Sequence, residues 1–205
     1  MGTVLKRRGI YLGGEGMTQR CEWVTSESLY IAYHDEEWGR PLCDDQRLFE
    51  MLCLEGAQAG LSWWSILQRR EGYRKAFKSF DPEKIVVFSE EMIQELMLNK
   101  EIIRNQLKIR SVQSNAAAYL KIQESGQSFS EYIWQFVDGK QIQNHWVNQE
   151  DVPAFSEESV RMSKQLKKDG FKFVGPTICY AYMQAVGMVN DHLTTCDCYE
   201  ACSQK

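Results

Sequence analysis

The chain has 205 residues, with 24 basic and 28 acidic side chains and a formal net charge of −4. A chain of that size buries a sizeable core without disulfide staples, and no apolar run is long enough to span a bilayer. The opening MGTVLKRRGIYLGGEG lacks the continuous apolar stretch of a signal peptide, so a reducing, cytoplasmic location is expected. The seven cysteines then read as thiols or metal ligands rather than disulfides. The acidic balance argues against a chain-wide DNA-binding surface and leaves a local basic face open.

Residues 1–20 hold five glycines and four basic residues and read as a flexible N-terminal extension. Residues 21–205 read as one α-helical domain, with room for two lobes around a shared core. The apolar spacing is mostly helical. Asp44 and Asp45 are candidate N-caps for a buried helix over 45–57. Residues 61–78 continue the helical spacing, with Gly72 the expected break, and Pro82 interrupts it. Ser89 before two glutamates opens a helix over 89–98. Helices follow over 102–123 and 128–137, split by the turn ESGQS. Ser156 and Gly170 bracket another helix, and Pro176 suits a first helical position. Strand-like alternation is scarce. The expectation is an all-α fold of about eight helices.

Three groups of residues carry chemistry. Cys21 precedes His34 with twelve residues between, and His192 and Cys196 stand four apart, on one helical face if helical. Together they make a Cys2His2 set suited to a closed tetrahedral metal site. The order and the long gap differ from a zinc finger. Buried thiols with locally satisfied histidines fit the same spacing equally well, and Cys198 and Cys202 are competing ligands.

The second group is LEGAQAGLSWWSI, residues 54–66. Glu55 falls inside an apolar helix, where a carboxylate needs a partner or a purpose. With Trp63 nearby it suits a pocket for a flat, cationic or amine-bearing ring; Trp64 reads as core. The third is NKEIIRNQLKIR, residues 99–110. A turn entering a helix with Arg104, Lys108 and Arg110 offers backbone N–H groups and positive charge to a phosphate. A solvated helix face is the plainer reading of such a run.

C-x-W-V with LYIAYHDEEWG, LFEMLCLEGAQAGLSW, IIRNQLKI and LKKDGFKFVGPTICYAYMQAVGMVNDH together resemble the bacterial type I 3-methyladenine DNA glycosylases, of the helix-hairpin-helix superfamily. The resemblance runs from about Cys21 to Cys196. It implies a helix-hairpin-helix glycosylase fold with one structural zinc joining the N- and C-terminal segments. The ligands it implies are Cys21, His34, His192 and Cys196. It implies a base pocket built on Glu55, Tyr33 and Trp63, with Trp23 and Trp38 in support. IIRNQLKI, through Arg104 and Lys108, matches the segment that grips backbone phosphates. One departure stands out: Lys100-Glu101 occupies a place where such hairpins often carry glycine.

The implied partners are alkylated double-stranded DNA and the 3-methyladenine base, with no membrane and a monomeric chain. The implied activity is hydrolytic release of the base. No lysine is placed for a Schiff base, and Asp138 in FVDGK reads as a turn residue rather than a catalytic acid. On this reading Asp35 and Glu37, beside His34, orient the ligand or face water. Two rival readings are weaker. His34-Asp35-Glu36 matches the H-x-E half of a zinc deaminase signature, but the P-C-x-x-C half is missing. A zinc-stapled DNA-binding module without activity is favoured by Glu101 and opposed by the intact pocket residues.

Overall fold

The computed structural model describes residues 18–203, and the described part is mostly helical. In chain order the helices are α1 (Ser28–Glu36), α2 (Asp45–Gln58), α3 (Trp63–Leu67), α4 (Arg70–Ala76), α5 (Pro82–Val86), α6 (Glu90–Leu98), α7 (Gln106–Glu124), α8 (Phe129–Trp134), α9 (Glu157–Lys168), α10 (Pro176–Ala185) and α11 (Cys198–Ala201). The only strands among the described residues are β1 (Ile142–Gln143) and β2 (Val189–Asn190), which pair in parallel. The segment 1–17, most of the expected extension, lies outside the described residues.

The helix starts follow their caps. Asp44 accepts a hydrogen bond from Arg47 N and begins α2. Asp45 does not cap its own helix: its carboxylate accepts from Phe129 N and Ser130 N and closes the start of α8 instead. Ser89 caps α6, Ser156 caps α9, and Pro176 opens α10. Every residue of α2 from Leu48 to Ala57 is buried, so α2 is the central helix, with α10, α7 and α3 packed around it.

The break in 61–78 falls at Gln68–Arg69, between α3 and α4, and Gly72 lies inside α4. Gly72 is there for space. A Cβ at that position would stand 2.5 Å from the carbonyl oxygen of Glu101. The turn 99–105 therefore docks flat on α4, and Tyr73 Oη accepts from Ile103 N at 3.2 Å. The helix expected over 102–123 begins only at Gln106, because Asn105 caps it through a bond from Lys108 N. Gln19 and Arg20, assigned to the extension on sequence grounds, are engaged: Gln19 bonds Asp197 in both directions through its backbone, and Arg20 grips Asp35.

Candidate active site and metal centre

Helix α2 carries two buried carboxylates with opposite fates. Glu50 is paired with Arg74, at 2.8 Å. Glu55, one and a half turns on, faces no cation. Its Oε2 has no hydrogen-bond partner, and neither does the nearby indole N–H of Trp63. Burial alone pushes the Glu55 carboxyl from 4.5 up to about 8, as expected for a carboxylate without a compensating charge. Two unsatisfied buried polar groups side by side are rare in a finished core and common where a ligand completes the bonding.

Both line a cavity of about 230 Å³. Tyr33, from α1, and Trp63, at the start of α3, meet there with ring centroids 5.3 Å apart. Trp38 and Trp23 form the adjoining wall, 5.0 Å apart and edge to face. The five residues named from sequence for this pocket all converge on it. Trp64 packs on Tyr30 outside the set, partly buried against the core.

The sequence reasoning missed four further lining residues that matter: Gln149, Val152, Gln184 and Asp191. Gln184 lies in α10 and was within reach of a helical-spacing argument, whereas Asp191 follows β2 outside any helix and carried no local signal. Gln149 and Val152 sit in a segment with no local signal; the β1–β2 pairing brings it over the pocket.

The metal-type set assembles behind Trp38. Cys21, His34, His192 and Cys196 are all buried, and their candidate ligand atoms lie within 4.8 Å of one another. Cys196 Sγ stands 3.5 Å from His34 Nε2 and 3.5 Å from His192 Nδ1, and Cys21 Sγ stands 3.6 Å from His192 Nδ1. Metal–sulfur and metal–nitrogen bonds of about 2.3 and 2.0 Å at a tetrahedral angle place S and N roughly 3.5 Å apart, so the set fits one four-coordinate ion.

The outer partners also fit. His34 Nδ1 is 2.7 Å from Asp35 Oδ1, and His192 Nε2 is 3.2 Å from Trp38 O. Each leaves the other ring nitrogen free to ligate, the usual support for a metal-bound histidine. Hydrogen bonding from Cys21 and the two imidazoles holds the Cys196 thiol far below its usual range, while the same hydrogen bond and burial push Cys21 up. Of the two thiols, Cys196 is the one its surroundings favour as thiolate, the form a metal binds. Cys198 lies 4.0 Å from His34 Nδ1, the nitrogen facing Asp35, so it is placed behind the ligand set.

Asp35 is held by Arg20 at 2.7 Å, and Glu37 by Arg70 at 2.7 Å. Asp35 thus links Arg20 to the His34 ring, while Glu37 is taken up by Arg70 and not by His34. Gly39 lets the chain pass the ligand ring: its φ is +75°, and a Cβ there would stand 2.9 Å from His192 Nε2. Asp138 is exposed, with left-handed φ of 53°, at the end of a short turn; it is a turn residue.

The expected phosphate-binding pair divides. Arg104 is exposed in the 99–105 turn. Lys108 is buried, and its Nζ donates to Ala57 O at 2.8 Å and Ala59 O at 2.7 Å. These are carbonyls that the end of α2 leaves unpaired, and an ammonium there also suits the negative end of the helix. Lys108 therefore closes α2 rather than presenting charge at the surface, a correction to its expected place as a backbone-phosphate contact. Desolvation lowers its pKa accordingly.

No helix among the described residues is long and apolar enough to cross a membrane. A helical fold with a buried Cys2His2 set, and an aromatic slot around an unpaired carboxylate, offers an enzyme-like site suited to a flat, positively charged ring. The Methyladenine glycosylase family model matches residues 23–200. The DNA-3-methyladenine glycosylase of Haemophilus influenzae is 50% identical over 182 residues, 89% of this chain and 98% of the relative. A crystal structure of 3-methyladenine DNA glycosylase I (TAG) superposes with a TM-score of 0.87 at 50% identity, covering 88% of this chain and 100% of that one. A structure of the Staphylococcus aureus enzyme, concerned with its recognition of 3-methyladenine, superposes at 0.85 with 36% identity, covering 89% and 97%. The chain belongs to the methyladenine glycosylase family.

Proposed function

We propose that this protein is a monofunctional DNA repair glycosylase, which hydrolyses the N-glycosidic bond of 3-methyladenine in alkylated double-stranded DNA. It releases the free base and leaves an abasic site. The observation that carries the reading is Glu55: a buried carboxylate with no partner, aimed into an aromatic slot beside the unpaired Trp63 N–H.

Methylation at N3 makes the linked adenine a cation, so the glycosidic bond is already weakened and the leaving group needs little protonation. The remaining work is extraction, recognition and exclusion of normal bases. Flipping costs roughly a few kcal/mol, and less for a damaged base. Trp63 and Tyr33 offer faces for the flipped ring, and Trp23 and Trp38 close the wall. Glu55, once ionised, accepts from the adenine amino edge and favours the positive ring. A neutral base does nothing to offset its desolvation, so the slot discriminates on charge. No lysine is assigned to a Schiff base and no aspartate to a general base, so the step is hydrolysis without strand cleavage.

The turn 99–105 with α6 and α7 serves as the helix-hairpin-helix grip, with Arg104 and the backbone at the start of α7 against phosphate. The Glu101 departure fits because its backbone is used for packing on Gly72. Cys21, His34, His192 and Cys196 would hold one structural zinc. With all four positions supplied by the protein, it ties the N- and C-terminal segments together and leaves no place for a reactive water.

The test is release of free 3-methyladenine from methylated DNA, followed by chromatography of the base. Glu55→Gln is expected to abolish most release, and full activity in that variant sinks the pocket assignment. Purified protein is expected to contain about one zinc per chain. Retention of zinc by His192→Ala overturns the ligand set.

A further inference from the structure

Asp191 stands next to His192, is buried, and lines the base slot. Its carboxylate faces no cation. Four neutral side-chain donors surround it, two on each oxygen. Asn144 Nδ2 at 2.6 Å and Trp146 Nε1 at 2.8 Å donate to Oδ1. Tyr180 Oη at 2.7 Å and Gln184 Nε2 at 2.8 Å donate to Oδ2. Four donors match the acceptor capacity of a carboxylate, and an amide in its place could not accept all four.

The donors come from two places. Tyr180 and Gln184 belong to α10. Asn144 and Trp146 belong to the segment following β1, which runs beside the 188–194 stretch through Ile142 N to Met188 O, Asn144 N to Asn190 O, and Thr194 N to Trp146 O. A few residues further on, the same segment presents Gln149 and Val152 to the slot. Between these contacts and the slot there is no regular element except a single turn, Gln149–Asp151. The position of this wall thus depends on its anchor.

We propose that Asp191 is a positioning residue for base recognition, latching the 144–152 strap across the slot so that Gln149 and Val152 form its fourth wall. This rests on the glycosylase reading above. Asp191 acts through the strap and not on the base. Loss of the latch is expected to loosen base binding more than it slows the bond-breaking step, because Glu55, Tyr33 and Trp63 are held by α2, α1 and α3 independently.

The experiment measures binding of free 3-methyladenine by calorimetry, and kcat and KM on methylated DNA, for the wild-type protein, Trp146→Phe and Asn144→Ala. Both variants remove one donor from the strap and leave the metal segment untouched; zinc content and Tm are measured alongside. Each is expected to keep its metal and to bind the base about three- to tenfold more weakly, less than the full worth of a hydrogen bond to a charged group, because the loss reaches the base only through the strap. KM is expected to rise while kcat changes less. Wild-type affinity in both variants overturns the proposal, as does a loss of affinity seen only where metal is also lost. If the wild-type protein itself releases no 3-methyladenine, the functional reading fails. If it does and both variants match it, only the latch fails.

Discussion

Glu55→Gln is expected to make the protein more stable while disabling it, and the size of the gain is set by pH. In the folded chain burial raises the Glu55 carboxyl from 4.5 to about 8. A carboxyl with a raised folded-state pKa holds its proton longer in the native state than in the unfolded one. Stability is therefore greatest below pH 4.5, falls as pH rises through the window from 4.5 to 8, and is level above it. At about 1.4 kcal/mol per unit, a rise of roughly 3.5 units corresponds to a cost of up to ~5 kcal/mol above pH 8, and ~4 kcal/mol near pH 7.5. The glutamine side chain fills the same space and carries no ionisation to suppress. Urea unfolding of both proteins between pH 5 and pH 9 reads the difference directly. The gap in favour of glutamine is expected to widen by a few kcal/mol across that range. Parallel stability profiles would refute the reasoning, because they would mean that water or an unseen partner already compensates Glu55. Glu50 is the internal control: it lies on the same helix and is buried, but it is paired with Arg74, so Glu50→Gln is expected to destabilise modestly by weakening that pair, Arg74 keeping its bond to Glu71, and to show no gain that grows with pH.

The same titration predicts the pH dependence of catalysis. If ionised Glu55 is the binding form, kcat/KM for the cationic lesion rises with pH and levels near the free-enzyme pKa of about 8; any residual activity of Glu55→Gln is expected to lack that rise. Gly72→Ala is expected to destabilise by about 1–3 kcal/mol, read as a lower Tm, because the new Cβ meets the backbone of Glu101 rather than a mobile side chain. Arg104→Ala is expected to lower the slope of log K for DNA against log salt by about 0.9 and to leave affinity for free 3-methyladenine unchanged. Lys108→Met is expected to lower thermal stability with little change in that slope, since its ammonium is bound to Ala57 and Ala59 carbonyls.

Lys108 shows where reading the sequence stops working. In IIRNQLKIR it is one cation in a basic run, which the family resemblance sets beside Arg104 as a phosphate contact. What that reading omits is the end of α2, about fifty residues earlier, whose carbonyls need a donor. The pairing joins the start of α7 to the connection that leads from α2 into Trp63, so the proposed phosphate-binding turn and the aromatic slot share one mechanical connection. Gly72 carries the same lesson in reverse: local rules read it as a helix break, whereas it is a helix residue kept small by Glu101 in a different segment. Caps were legible because they act over three residues, and Asp44, Ser89, Ser156 and Pro176 all begin helices as their positions imply. The cluster of Cys21, His34, His192 and Cys196 was legible as chemistry but not as geometry, since the spacing alone also allowed buried thiols and locally bonded histidines. Asp191 was invisible because nothing about an aspartate before a histidine marks four donors, two from α10 just before it and two from a segment some 45 residues earlier. The slot is therefore best understood as a boundary between elements: α1, α2 and α3 hold the groups proposed to read the base, while the strap and α10 meet on one saturated carboxylate. Polar satisfaction in the second part is complete, and in the first part it is left open at Glu55 and Trp63. That contrast, more than any single residue type, separates the groups that hold the site in place from those left for a ligand to complete.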